Sequence, residues 1–319
     1  MESPSVRRRR RTRPSRRRPL VLLALAAVAV VGVTAAGTVY VKARAHSGTG
    51  AVSSAASPSA SGRKTVESVE SVQPVTEPAV DRGALLTKAM ASVTVPSGAK
   101  VSAAVLDLDS GESAVRGAGA FDTASIVKVD ILAALLLRAQ DAGRHLTAAE
   151  KAYATKMIEN SDNASASALW DTIGRADGLD AANRRLGLTD TTGGEGGLWG
   201  LTRTTAADQL TLLRQVFGED SELSEASRAY LRGLMTSIES DQRWGVSAAA
   251  DGSAWALKNG WLPRSTTGLW VVNSIGRVTV DGAGYLVAVL SDGNATQAKG
   301  IALVEEAARA AVESFTSAP

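Results

Sequence analysis

The sequence predicts an α/β (α+β) domain, with a five-stranded antiparallel sheet flanked by helices and a separate all-helical lobe. Three observations carry this. Predicted elements run helix, two strands, a block of helices, three strands, helix, so the two ends of the domain can build one sheet while the middle forms its own lobe. The stretch Ser125–Ala142 is apolar nearly all round, which marks a helix buried on every side. A hydrophobic content of 45% in 319 residues is enough for a sizeable core.

Residues 1–19 form a basic tail. The first 18 hold nine Arg and one Glu, +8 against +3 for the whole chain, so the remainder carries −5. A basic tail on a mildly acidic body argues against a nucleic-acid partner. Residues 20–41 are almost wholly apolar and would span about 33 Å as a helix, enough to cross a bilayer. The arginine flank puts the N-terminus in the cytoplasm and everything after Val41 outside. The expected location is therefore the cell membrane, with one span and an extracytoplasmic domain. The length of the run favours a retained anchor, while Ala43-Arg44-Ala45 fits a cleavage site and leaves secretion open. Residues 42–80, rich in Ser, Ala, Val, Thr and Pro, are a flexible spacer. Residues 81–319 make the globular domain.

Within that domain, Arg82–Val93 reads as a helix, Lys100–Leu108 as a strand, Asp109–Glu112 as a turn, and a second short strand ends near Arg116. After the buried helix come helices near 147–159, 163–174, 178–186, 204–217 and 224–237. Strands are expected at Ser253–Trp261, Gly268–Ile275 and Gly284–Leu290, and a last helix over about 295–315. A cleft between sheet and lobe is the natural place for a site.

The chain has no Cys and only two His, His46 and His145. Thiolate chemistry is excluded, a Ser-His-Asp triad is disfavoured, and a multi-His metal site has too few ligands. Nucleophilic catalysis would need a base other than imidazole, and neither metal nor cofactor is expected.

Ser-x-x-Lys occurs at Ser61/Lys64, Ser97/Lys100 and Ser125/Lys128. Only the third opens a buried helix, where positions i and i+3 share a face and the helix start aims backbone N–H groups at the serine. Burial disfavours an ammonium, so Lys128 can serve as a neutral base for Ser125. The plain alternative makes Ser125 or Thr123 an ordinary cap and lets Lys128 reach the surface. Ser161-Asp162-Asn163 precedes a helical stretch and would suit a cap equally well. Lys258-Asn259-Gly260 ends a predicted strand, and Asn-Gly is a favoured hairpin dipeptide.

Together and in this order, the three motifs resemble those of class A β-lactamases and penicillin-binding proteins. Asn163–Gly174 is similar to the helix after that family's second motif, and Thr202–Gln215 to the helix after its Ω-loop. The resemblance covers about Asp81 to Thr316 and implies a β-lactamase/transpeptidase-like fold. It implies a serine acyl-enzyme acting on β-lactams or acyl-D-alanyl groups such as a peptidoglycan stem peptide. Ser125 would attack the carbonyl, Lys128 would take its proton, and Ser161 would relay a proton to the leaving nitrogen. Asn163 would contact the substrate amide. Lys258 would attract the substrate carboxylate, Asn259, Gly260 and Trp261 would belong to the substrate-binding strand, and the N–H groups of Ser125 and Trp261 would form the oxyanion hole.

Three departures stand out. Asn259 replaces a hydroxyl residue, Ser125 and Ser161 are close in sequence, and the Ω-loop (Thr191–Trp199) looks abbreviated. Gly197 falls where class A enzymes carry their deacylating glutamate. Glu195 is the one carboxylate nearby and could take over as deacylation base because the surrounding glycines allow unusual backbone paths, while an exposed charge is the simpler reading of it. Acylation should therefore survive better than deacylation, as in a cell-wall D,D-peptidase or a catalytically weak binding module.

Overall fold

The computed structural model describes residues 80–252 and 254–317. The basic tail, residues 20–41, most of the spacer, His46 and Ser61/Lys64 lie outside the described residues. No helix among the described residues is long and apolar enough to cross a membrane.

Strands β1 (Lys100–Asp107), β2 (Ser113–Arg116), β5 (Trp255–Pro263), β6 (Trp270–Val280) and β7 (Ala283–Asn294) form one antiparallel sheet in the order β2-β1-β7-β6-β5. The five-strand sheet expected from the sequence is thus present, joined from both ends of the domain. Two features went unanticipated. A small second sheet pairs β3 (Phe121–Asp122) with β4 (Arg203–Thr204). Short 3-10 turns occur at Ala124–Ile126, Trp199–Leu201, Ser240–Gln242 and Gly245–Ala249.

Period-two alternation divides the core. Ala103, Val105, Val287 and Val289 face a layer that holds α1 (Arg82–Met90) and α8 (Gln297–Thr316). Ala104, Leu106, Leu286, Ala288 and Leu290 face the other layer, led by α2 (Val127–Asp141) and α6 (Ala206–Phe217). Twelve of the fifteen residues of α2 are buried, so its all-round apolar character reflects a central position. α3 (Ala148–Glu159), α4 (Asn163–Ile173), α5 (Arg175–Leu186) and α7 (Glu225–Thr236) complete the helical lobe.

Element boundaries differ from expectation where glycine is involved. Strand β5 runs straight through Asn259-Gly260 to Pro263. The hairpin is instead made by Asp281-Gly282, both at positive φ, so β6 and β7 extend right up to it. Helix α5 starts at Arg175 and not near 178, because Gly174 at φ +97° ends α4 and begins α5 at one residue. Gly178 fits inside it because a Cβ there would lie 1.8 Å from the Ile173 carbonyl oxygen.

Candidate active site

The chain leaves β3 and makes its 3-10 turn over Ala124–Ile126 before α2 begins at Val127, so Ser125 lies two residues ahead of the helix where the sequence had placed it inside. The reason is local: Ala124 sits at φ +48°, which an α-helix cannot accommodate. Such a conformation costs about 1–2 kcal/mol for a non-glycine residue, and the turn is held in place from several sides. Thr123 N donates to Thr202 O at 2.9 Å. Asn273 Nδ2, fully buried on β6, donates to Asp122 O (2.9 Å) and Thr123 O (3.0 Å). Gly260 on β5 lies so close that a Cβ would stand 2.6 Å from Ser125 N and 2.7 Å from Ile126 N. Neither Thr123 nor Ile126 caps through a side chain.

Lys128 is 0% exposed and does not reach the surface. Its Nζ lies 3.0 Å from Ser125 Oγ, 3.0 Å from Ser161 Oγ, 2.7 Å from Ser161 O and 2.9 Å from Asn163 Oδ1. Burial pulls its pKa down to about 7, partly opposed by the charge of Asp162. Two of the four oxygens, the Ser161 carbonyl and Asn163 Oδ1, can only accept. A neutral amine has two N–H donors for them and keeps a lone pair to receive a hydroxyl proton. The Trp199 ring covers the group, its centroid 5.0 Å from Nζ.

Ser161 also adopts a positive φ, +56°, just before Asp162 caps α4 by accepting from Ser165 N at 2.7 Å. Its Oγ lies 3.0 Å from both Lys128 Nζ and Lys258 Nζ, so one hydroxyl joins two lysines. Lys258 is 0% exposed, and burial together with nearby Lys128 holds its pKa well below the usual lysine range. Its partners, Ser161 Oγ and Asn259 O (2.9 Å), are both neutral.

Asn259 departs from its expected role as a substrate ligand. Strand alternation sends it to the face opposite Lys258. There its Nδ2 donates to Gln242 O (2.7 Å) and Trp244 O (3.0 Å), holding the 3-10 segment behind β5.

A family model described as the beta-lactamase enzyme family matches residues 149–315, more than half of the chain. The chain belongs to the beta-lactamase enzyme family. The matched stretch contains Ser161, Asn163 and Lys258 and begins after Ser125 and Lys128, so the latter two enter the site by geometry. Among solved structures, PBP-A is similar at 22% identity and a TM-score of 0.63, over 73% of this chain and 96% of that one. The TLA-1 extended-spectrum beta-lactamase aligns at 16% identity and a TM-score of 0.64, over 74% and 98%. A beta-lactamase from Sphaerobacter thermophilus aligns at 22% and 0.58, over 75% and 98%. At these identities the likeness establishes the shared fold. No curated protein matches the chain.

In this beta-lactamase-family chain, Ser125, Asn163 and Trp261 line a cleft of about 550 Å³ together with Leu198, Trp199 and Arg264. Trp261 lies on β5, the edge strand, where alternate N–H groups have no partner strand. Glu195 is exposed and does not line the cleft, nor does any other carboxylate among the described residues. The glycine-rich loop that carries it is anchored by Trp170 Nε1, which donates to Gly196 O at 2.8 Å.

Several contributors escaped the sequence reading. Asp122 pairs with Arg203 (3.0 Å) and Arg264 (2.7 Å), tying β3 to β4 and to the end of β5. Asn273 pins the turn that carries Ser125, and its one signal was a polar residue within a buried stretch of β6. Trp199 looked like an unremarked loop residue.

Proposed function

We propose that this chain is a serine acyl-enzyme hydrolase that takes β-lactams or related acyl-D-alanyl groups, with Ser125 as nucleophile and Lys128 as its base. One observation carries the reading: a fully buried amine within 3.0 Å of Ser125 Oγ and Ser161 Oγ, with Lys258 Nζ at 3.0 Å on the far side of that second hydroxyl. The family membership and a PBP-A mutant solved as an acyl-enzyme complex with penicillin G support the choice of substrate.

The steps balance without a cofactor. Ser125 Oγ attacks the carbonyl carbon while its proton passes to Lys128 Nζ. The oxyanion is received by the N–H groups of Ser125 and Trp261. The C–N bond then breaks, and the proton travels from Lys128 through Ser161 Oγ to the leaving nitrogen, which leaves Ser125 as an ester. Lys258 has only neutral partners and is driven toward its neutral form by burial, and a substrate carboxylate beside it draws it back toward the ammonium that then pairs with that carboxylate. Water hydrolyses the ester in the second half-reaction.

A D,D-peptidase or penicillin-binding activity is the second reading, favoured by a cleft that no carboxylate among the described residues lines to activate the deacylating water. The apolar run 20–41 and the spacer would tether either enzyme outside the cell membrane.

Intact-mass spectrometry over time after penicillin exposure tests the proposal. The expected result is one adduct on Ser125, absent in Ser125→Ala. Failure to label, or labelling of Ser125→Ala, would remove its basis.

A further inference from the structure

We propose that Arg264 makes the distal end of the cleft a subsite for a carboxylate on the acyl arm of the substrate, an inference that rests on the acyl-enzyme reading above. Arg264 is the one charged side chain among the described residues that line the cleft. It follows Gly260, which packs on Ser125 N, by four residues. At about 3.3 Å per strand residue it stands roughly 13 Å along β5 from the nucleophile, while Lys258 stands roughly 7 Å the other way. A substrate lying along β5 therefore has a lysine on its leaving-group side and an arginine on its acyl side.

The guanidinium is neither neutralised nor loosely placed. Its partner Asp122 is shared with Arg203, so one carboxylate faces two guanidiniums and one positive charge is left over. The bond from Nη1 to Asp122 Oδ2 leaves further N–H donors for a ligand. The backbone of Arg264 is fixed in a tight turn: its N donates to Leu269 O at 2.8 Å, and its O accepts from Gly268 N at 2.7 Å. Between Ser125 and Arg264 the cleft is lined by the apolar residues Leu198, Trp199 and Leu262, and Leu198 is 58% exposed. The cleft thus suits an acyl arm with an apolar spacer of several carbons that ends in a carboxylate.

Two penicillins that differ only at the arm's end test this: 6-aminopenicillanate acylated with hexanoyl or with adipoyl. The readout is the ratio of their second-order rate constants for labelling Ser125. Because Arg264 is a third exposed, the ratio in favour of adipoyl is expected at roughly two- to fivefold in the unmodified protein. It should shrink with added salt, fall to about one in Arg264→Gln, and be partly kept in Arg264→Lys. A purely structural Arg264–Asp122 pair would change both rates together and leave the ratio intact. A ratio near one in the unmodified protein, or one that persists in Arg264→Gln, overturns the proposal. If hexanoyl-penicillin does not label Ser125 at all, the acyl-enzyme reading fails and takes this proposal with it. Labelling without preference removes the Arg264 subsite alone.

Discussion

Lys128 and Asp130 lie two positions apart on α2, both fully buried, and burial drives each toward its neutral form. For Lys128 that favours the neutral amine that the proposed mechanism needs. For Asp130 it creates a pH-dependent liability: its carboxyl has no hydrogen-bond partner, and burial, with Asp208 and Asp180 nearby, pushes its pKa up to about 8. Below about pH 4 the carboxyl is protonated in both folded and unfolded chains and changes nothing. As pH rises, the unfolded chain releases the proton while the folded protein keeps it, so stability falls by about 1.4 kcal/mol per unit until the folded group ionises. The substitution Asp130→Asn removes that term. Its melting temperature should equal that of the unmodified protein near pH 4 and exceed it increasingly up to pH 8, by several degrees. Equal melting temperatures across that range would show that Asp130 is not a strained acid.

At the scale of elements, the site depends on β5 lying against the turn Ala124–Ile126. Gly260 allows that approach, and a methyl group there would meet backbone on both sides, at 2.6 Å from Ser125 N and 2.8 Å from Thr123 O. We expect Gly260→Ala to part strand and turn, lowering the acylation rate at least about a hundredfold and stability by roughly 1–3 kcal/mol, as read by adduct formation and chemical denaturation. Near-normal acylation would mean that the oxyanion pocket does not depend on this contact. Ser125, Lys128, Ser161 and Lys258 were singled out by three short motifs in a set order and by their likeness to a known family, since each motif alone also suits a cap or a turn. Asn259 was misread because strand alternation turns it away from Lys258, toward carbonyl groups whose position no local pattern reveals. Asn273, Asp122 and Arg264 were invisible for a related reason. Their partners lie about 80 to 150 residues away in sequence or on other elements, and long-range polar pairs leave no periodic trace.

At the scale of the whole molecule, the sheet carries Lys258 and Trp261, the helical lobe carries Ser161 and Trp199, and Ser125 lies where they meet. The fold class could be predicted because the two ends of the domain read as strands and the middle as helices. On the proposed reading Ser125 forms an ester in this cleft, and no carboxylate among the described residues lines it to activate a water. Mixing with a chromogenic cephalosporin should therefore give a burst near one equivalent, followed by slow turnover; rapid linear turnover without a burst would point to a water-activating group elsewhere. The account as a whole turns on Lys128 as a neutral amine near physiological pH, and the acid limb of the acylation rate measures this most directly. Followed by intact mass between pH 5 and 8, the second-order rate constant for labelling Ser125 should rise with pH and bend at about 7, as Lys128 loses its proton. A rate that is flat across that range, or that is unchanged in Lys128→Ala, would contradict it.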